Sequence, residues 1–141
     1  MSVQLVRITD SLPDGFEALR AEAETEGHRH LTRLATEMAQ APGMFLALLA
    51  AFDEGALLGI GGMTVEPNEP AAIRMRRLYV AQPVRGRGVA RAIANALLEE
   101  ALGQTRLITV HAGNPGAERF WEAMEFSPVP DRPWSHQFAA H

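Results

Sequence analysis

The stretch RRLYVAQPVRGRGVA, residues 76–90, decides the fold. It joins the segment 73–80, which predicts a strand, to the segment 87–102, whose apolar residues recur at helical spacing. Between the two lies a turn that contains Gly86 and Gly88. A strand, a glycine-rich turn and a helix in this order predict an α/β architecture with a right-handed crossover.

The glycine-rich turn also predicts a binding site for phosphate. The N–H groups in the first turn of a helix have no partner within the helix, and the helix dipole adds partial positive charge there. Gly86 and Gly88 have no Cβ, so a pyrophosphate can approach the backbone closely. Arg85, Arg87 and Arg91 add positive charge around the same spot. An ordinary helix start, with glycines that serve turn geometry alone, is the less favoured interpretation.

Charge is distributed unevenly along the chain. All 13 basic residues are arginine, and 17 residues are acidic, which gives a net charge of −4. No acidic residue lies between Glu69 and Glu99, a segment that contains six arginines. An acidic chain with one concentrated cationic segment indicates a defined polyanionic ligand rather than nucleic acid. An arginine-rich solvated surface is the alternative.

The remaining hydrophobic patterns predict a mixed sheet with helices. Strands are predicted over 3–8, 44–52, 56–65, 73–80, 107–111, 126–129 and 134–138, and helices from residue 13 to a break at Gly27 and over 31–40, 87–102 and 114–124. The order is β-α-α-β-β-β-α-β-α-β-β, with a loop over 67–70. Glycines at 59, 61 and 62 weaken one strand and predict a bulge or a close backbone approach.

Length and composition restrict the function further. A chain of 141 residues predicts a single domain, 1–141. The absence of cysteine excludes a disulfide scaffold and thiolate metal sites, and it fits a reducing, cytoplasmic location. The longest apolar run, 44–52, is too short to span a bilayer, and no secretory signal is expected. His28 and His30 have no third ligand nearby, so no metal site is predicted.

Two motifs resemble the signatures of the GNAT superfamily of acetyl-CoA-dependent N-acetyltransferases. Residues 85–90, RGRGVA, match the family's pyrophosphate signature R/Q-x-x-G-x-G/A. Residues 114–126, NPGAERFWEAMEF, are similar to its N-x-x-A-x-x-F-Y-x-x-x-G-F segment. The predicted order of elements agrees as well, and the resemblance covers about residues 3–139.

The resemblance implies a site where the strands over 73–80 and 107–111 splay apart and admit the pantetheine arm of acetyl-CoA. A small-molecule or peptide amine would attack the thioester directly in a ternary complex. A backbone N–H near Leu78 or Tyr79 would hold the resulting oxyanion. The residues that the resemblance implies at the cofactor are Leu78, Tyr79, Val80, Arg85, Gly86, Arg87, Gly88, Val89, Ala90, Asn114, Phe120 and Trp121.

Two positions depart from the family's motifs. Trp121 stands where the family has the tyrosine that protonates the departing thiolate, and an indole N–H is not a usable acid near neutral pH. Either Tyr79 or His111 assists, or the thiolate leaves unassisted, which a thiol pKa of ~8.5 permits. Trp121 itself is expected in the core or the pocket wall. Glu125 stands where the family has glycine, at a cost of about 1 kcal/mol if the helix ends there in a left-handed residue.

The base that takes the proton of the amine is not evident, because residues 73–80 contain no acid. Glu66, at the end of the preceding strand, is the first candidate, and His136 on the last strand is the second. Glu26 and His28, between the first two helices, are the third.

Three functions fit these patterns. An N-acetyltransferase is favoured. A non-catalytic acyl-CoA-binding module is the alternative, because the tyrosine and the central carboxylate are missing, and an arginine-rich interaction protein without a cofactor is the third. The expected protein is a monomer or homodimer without nucleic-acid or membrane partners, and the patterns do not identify the amine.

Overall fold

The computed structural model describes residues 1–140, and their backbone is organised around one mixed sheet. Its strands are β1 (Gln4–Arg7), β2 (Phe45–Asp53), β3 (Ala56–Glu66), β4 (Glu69–Val80), β5 (Leu107–Val110), β6 (Ser127–Pro128) and β7 (His136–Ala139). Its helices are α1 (Phe16–Thr25), α2 (His30–Gln40), α3 (Val89–Leu102) and α4 (Pro115–Ala123). The predicted order of strands and helices is confirmed.

The sheet opens between β4 and β5. The strand order is β1-β2-β3-β4-β5-β7-β6, and only β4 and β5 pair in parallel. They pair at two positions, Ile73 with Ile108 and Arg74 with Thr109, after which the strands diverge although β4 continues to Val80. The expected splayed centre of the sheet is thus confirmed.

A bulge in β4 lies beside this opening. Arg77 has a φ of 63°, in the left-handed region that non-glycine residues seldom adopt. Its position coincides with a register shift, since Ile60 pairs with Tyr79 but Gly62 pairs with Arg76. One residue of β3 therefore faces two of β4, and the bulge redirects the backbone that follows it.

Two apolar clusters cover the two faces of the sheet. Helices α3 and α4 pack on one face, and α1 and α2 pack on the other. In the first cluster, β3 and α3 pack closely at Gly61. A Cβ added at Gly61 would lie only 2.9 Å from Cγ2 of Ile93 on α3. The close backbone approach predicted for this strand is confirmed.

The structure corrects two predicted boundaries. β4 begins at Glu69, so the predicted loop over 67–70 is a two-residue turn, which the Glu66 carboxylate stabilises by accepting a bond from the Asn68 N–H at 3.0 Å. The last two strands are shorter than predicted, because three prolines interrupt the backbone between 128 and 133 and limit ladder hydrogen bonds. No helix within residues 1–140 has both the length and the apolar character needed to cross a membrane.

Candidate active site

The opening in the sheet forms a cleft of about 720 Å³. Its walls come from the end of β4, the glycine-rich turn, the start of α3, helix α4 and the segment that joins α1 to α2. The lining residues include His28, His30, Leu78, Tyr79, Val80, Arg85, Gly86, Gly88, Val89, Ala90, Asn114, Phe120 and Trp121. Eleven of the twelve residues expected at the cofactor therefore line one cleft, and the exception is Arg87.

The glycine-rich turn has the geometry of an anion site. Gly86 and Gly88 have φ values of 80° and 87°, which a side chain would strain, and open space lies beside each of them. Gly88 is the N-cap of α3, and no side chain caps this helix end. The free N–H groups of the first turn therefore face the cleft without competition from a capping oxygen.

Arg85 lines the cleft, but Glu26 engages its guanidinium. Nη2 and Nη1 donate to the two carboxylate oxygens at 2.6 and 2.9 Å, and Nε donates to the Val80 carbonyl at 3.0 Å. The guanidinium also stands 5.2 Å from the centre of the Tyr79 ring. Hydrogen bonds to Glu26 raise the pKa of Arg85, and those from Arg85 and Tyr79 lower the pKa of Glu26 to about 2. Arg85 thus anchors the glycine-rich turn to the α1–α2 segment.

The Tyr79 phenol is poorly suited to protonate a thiolate. The side chain is buried, and its oxygen lies 2.6 Å from a carboxylate oxygen of both Glu22 and Glu26. Burial, together with the hydrogen bonds to Glu22 and Glu26, raises the pKa of Tyr79 far above its ordinary value of 10.0. A phenol that is a weaker acid than usual gives up its proton less readily.

Glu66 and His111 form a carboxylate–imidazole pair. Glu66 is fully buried, and its Oε1 lies 3.1 Å from His111 Nε2 and accepts a bond from Thr109 Oγ1 at 3.0 Å. Burial opposes ionisation of Glu66, but hydrogen bonds from Asn68, His111 and Thr109 outweigh it and lower its pKa. Because an ionised carboxylate only accepts, Nε2 of His111 carries the hydrogen and Nδ1 keeps its lone pair.

His136 occupies a different environment from Glu66. It pairs with Val110 across the sheet, so it lies on the α4 face, whereas Thr109, the partner of Glu66, projects from the other face. Its two ring nitrogens lie 2.9 Å from Ser135 Oγ and 2.8 Å from a Glu122 oxygen. These contacts favour a role in joining α4 to β7.

One group of side chains on this face has the composition of a metal site. Glu118, Glu122 and His136 bring one potential ligand atom each within 4.8 Å of one another. The two glutamates are exposed, and Nε2 of His136 already contacts Glu122. His136 and Glu122 are thus already paired with each other.

His28 and His30 line the cleft next to Tyr79. Their rings stack at 5.5 Å, and His28 also meets the edge of the Tyr79 ring at 6.4 Å. Burial, followed by repulsion from His28, lowers the pKa of His30, which favours its neutral form. Sequence reasoning gives His28, but not His30, as a candidate base, and it favours a solvated loop over a metal site for the pair.

The wall formed by α4 carries the second motif. The Trp121 side chain is 7% exposed and meets Phe120 and Phe126 edge to face at 4.9 and 5.0 Å. Asn114 caps the helix, since its Oδ1 accepts a bond from the Ala117 N–H at 2.8 Å. Trp121 is therefore both core and pocket wall, as expected.

The last motif residue ends α4 in the conformation that glycine favours. Glu125 has a φ of 71°, the N–H of Phe126 donates to the Trp121 carbonyl and that of Glu125 to the Glu122 carbonyl, both at 3.0 Å. These two bonds define a Schellman motif with glutamate at the left-handed position. The sequence predicts a cost of about 1 kcal/mol if α4 ends at Glu125 in a left-handed residue, and the structure meets that condition.

Comparison with known proteins shows the family of the chain. The acetyltransferase (GNAT) family matches residues 8–126. The chain belongs to this family. GNAT proteins transfer acetyl groups from acyl-CoA, so the chain is an acyltransferase by family, with acetyl-CoA as the co-substrate that the family uses. None of the curated proteins matches the sequence.

Solved structures share the GNAT fold at low sequence identity. A candidate acetyltransferase of Exiguobacterium sp. 255-15 superposes with a TM-score of 0.88 at 20% identity, over 99% of this chain and 94% of that one. A GNAT acetyltransferase of Staphylococcus aureus Mu50 gives 0.77 at 10% identity, over 99% and 98%. Ard1 from Thermoplasma volcanium gives 0.75 at 14% identity, over 100% and 99%. At these identities the comparison supports the fold alone.

Proposed function

We propose that the protein transfers the acetyl group of acetyl-CoA to a primary amine, by direct attack within a ternary complex. The observation that carries the proposal is the position of the opening between β4 and β5, which leads directly to the uncapped start of α3. One end of the cleft offers backbone N–H groups for a pyrophosphate, and the other end offers an exposed strand edge for an amide-bearing arm.

The binding of acetyl-CoA follows from these two ends. The pyrophosphate accepts bonds from the first turn of α3, and Arg87 and Arg91 add charge because both are exposed at that turn. The pantetheine arm lies against the edge of β4 from Leu78 to Val80, where β5 no longer pairs with it. Asn114 contacts the arm from the opposite wall.

Attack of the amine forms a C–N bond at the thioester carbonyl and then breaks the C–S bond. A backbone N–H at Leu78 or Tyr79, after the bulge at Arg77, holds the oxygen that becomes negative. The proton of the amine goes to Nδ1 of His111, and the Glu66 carboxylate orients the ring and stabilises its cationic form. The thiolate leaves unassisted and takes its proton from water.

The cofactor assignment is tested by thermal melts with acetyl-CoA, desulfo-CoA and ATP. At 100 times its Kd a ligand adds about 2.7 kcal/mol, which gives a shift of several degrees. Gly88→Glu is expected to abolish the shift, since it places a carboxylate where the pyrophosphate binds. Gly88→Ala introduces the same backbone strain without the charge, and Gly43→Glu adds the charge in open space away from the cleft. Loss of the shift in Gly43→Glu, or its retention in Gly88→Glu, contradicts the assigned turn.

The transfer itself is tested by amine-dependent release of free CoA. His111→Asn is expected to lower kcat by roughly 10²–10⁴-fold, the usual contribution of a general base, without a change in the Kd of acetyl-CoA. His30→Asn is the comparison variant, because it removes an imidazole that lines the cleft. A large loss in His30→Asn and none in His111→Asn would assign the proton to the α1–α2 segment.

A non-catalytic acyl-CoA-binding module is the second candidate. It is favoured by Trp121, which supplies no acid to the departing thiolate, and by the lack of a carboxylate in 73–80. Both candidates predict a thermal shift with acetyl-CoA. Only the transferase predicts release of CoA that depends on an amine, so this assay separates them.

A further inference from the structure

Two arginines, Arg74 and Arg76, lie beside the opening in the sheet and have no part in the chemistry above. They are two residues apart on β4, so their side chains project from the same face. Arg74 pairs with Thr109 at the last position before the strands diverge. Arg76 is two residues before Leu78, and only the bulge at Arg77 separates them. Both therefore stand close to where the thioester is proposed to lie.

In the part of the chain that the structure describes, the Nε donors of both guanidiniums lack the hydrogen-bond partners that buried donors normally have. The Arg76 side chain is only 9% exposed. Within residues 1–140 the Nε atoms of Arg74 and Arg76 are buried and have no hydrogen-bond partner. An arginine does not shed its charge in proteins, so these donors cost free energy until an acceptor meets them. Burial, followed by repulsion from Arg76, lowers the pKa of Arg74 to about 10.

The carboxylate of Glu37 on α2, which faces Arg74 and Arg76, already binds another arginine. Glu37 accepts bonds from Nε and Nη2 of Arg77 at 2.9 and 2.7 Å, in a two-pronged pair. It reaches Nη1 of Arg76 only at 3.7 Å, beyond hydrogen-bond distance. Glu37 thus neutralises Arg77 and leaves Arg76 incompletely matched.

The other carboxylate near Arg74 is engaged as well. Glu66 accepts four hydrogen bonds, two from Asn68 and one each from Thr109 and His111. A carboxylate offers about four lone-pair positions, so none is left for Arg74. Three arginines therefore share this face with two carboxylates that are already engaged, and the local charge is positive.

We infer that Arg74 and Arg76 bind a carboxylate of the acceptor, so that the substrate is a primary amine that also carries a carboxylate, as a free amino acid does. The inference rests on the proposed acetyl transfer. A guanidinium binds a carboxylate through two parallel hydrogen bonds, which would match the positive charge of the pair and orient the amine toward Leu78. A neutral or cationic amine leaves both arginines unmatched and is rejected for that reason.

The first experiment compares acceptors on the wild-type protein. CoA release is measured with free L-amino acids, with the matching amino acid amides and with the corresponding decarboxylated amines. A kcat/KM at least 100-fold higher for the amino acid than for its amide supports the inference. Equal or better rates with amides or decarboxylated amines overturn it while leaving acetyl transfer intact. No release with any acceptor, while acetyl-CoA still shifts the melt, overturns the proposed transfer and the acceptor assignment together.

The second experiment removes the charges. Arg74→Met and Arg76→Met are each expected to raise the KM for the amino acid at least 30-fold and to leave the Kd of acetyl-CoA unchanged. Arg74→Met is also expected to raise the Tm, because it removes a half-buried positive charge whose Nε has no hydrogen-bond partner among the described residues. Arg106→Gln, an exposed arginine outside the cleft, is the control. A lower Tm with an unchanged KM would make the arginines structural and overturn the inference.

A wild-type inhibition assay makes the conclusion independent of how the variants fold. Propionate is expected to compete with the amino acid acceptor, and propionamide, which has the same shape without the charge, is expected to compete at least tenfold more weakly. Equal inhibition by the two compounds contradicts a carboxylate site at Arg74 and Arg76.

Discussion

Replacing Glu125 by glycine should stabilise the protein, although the change removes a side chain and adds chain flexibility. Glu125 is exposed and its φ is 71°, so the residue occupies the left-handed position of the Schellman motif that ends α4. A non-glycine residue in this conformation lowers the free energy of unfolding by about 1–2 kcal/mol. Glycine removes that strain but itself costs about 0.5–1 kcal/mol, because it gives the unfolded chain more entropy. The expected net gain is about 0.5–1 kcal/mol.

The gain can be measured by thermal and urea unfolding. Unfolding entropy is about 2.1 cal/mol/K per residue, so the 141 residues give about 0.3 kcal/mol/K. A gain of 0.5–1 kcal/mol therefore corresponds to a rise in Tm of about 2–3 °C. The urea slope should not change, because the same surface is exposed on unfolding.

Two variants separate backbone strain from other effects of the substitution. Glu125→Ala keeps a Cβ in the left-handed region and should give almost none of the gain. Glu99→Gly makes the same chemical change within α3 at an exposed helical position and should cost about 1 kcal/mol. A loss of stability in Glu125→Gly similar to that of Glu99→Gly would refute the reasoning, and so would an equal gain in Glu125→Ala.

Two further predictions concern the site. Trp121→Phe should change kcat by less than about tenfold, which is about 1.4 kcal/mol in the activation barrier, because the indole lines the pocket and does not act as an acid. A thousandfold loss of kcat with acetyl-CoA binding intact would contradict this. Glu66 has a folded-state pKa below its ordinary value of 4.5, so its ionisation stabilises the fold above pH 4.5, and this contribution is lost as the pH falls through the folded-state pKa. The difference in unfolding free energy between wild type and Glu66→Gln should therefore narrow as the pH falls from 4.5, as measured by urea unfolding from pH 7 to pH 3. A difference that is constant with pH would show that the carboxylate charge does not contribute.

Much of the fold could be predicted because its signals are local. The glycine-rich turn, the apolar stripe of α3 and the Asn114-Pro115 start of α4 each lie within a short segment, and each was predicted at the right place. The bulge at Arg77 could not be predicted, since arginine has no preference for a left-handed φ. Its conformation follows from the register between β3 and β4, which is a tertiary property.

The site was less predictable where it depends on pairs distant in sequence. Arg85 was assigned to the pyrophosphate by its place in the motif, but its partner Glu26 lies 59 residues away. Glu66 was chosen from its position at a strand end, and nothing in the sequence indicates that His111, 45 residues further on, would contact it. The burial of Arg74 and Arg76 was equally hidden, because arginines in a strand pattern normally indicate its solvent face.

The two ends of the proposed site differ in how closely they follow the family's motifs. The cofactor end keeps its backbone geometry, with Gly86 and Gly88 in the conformations that an anion site needs. The acceptor end differs in the groups that would recognise and deprotonate an amine: residues 73–80 carry no acid, but they present two arginines with buried, unpaired Nε atoms. Half-buried positive charge that is incompletely matched destabilises a fold, and a ligand that neutralises it recovers that free energy as binding specificity. If the arginines served stability alone, an apolar pair would serve better. The burial of Arg74 and Arg76 is therefore best explained by the substrate.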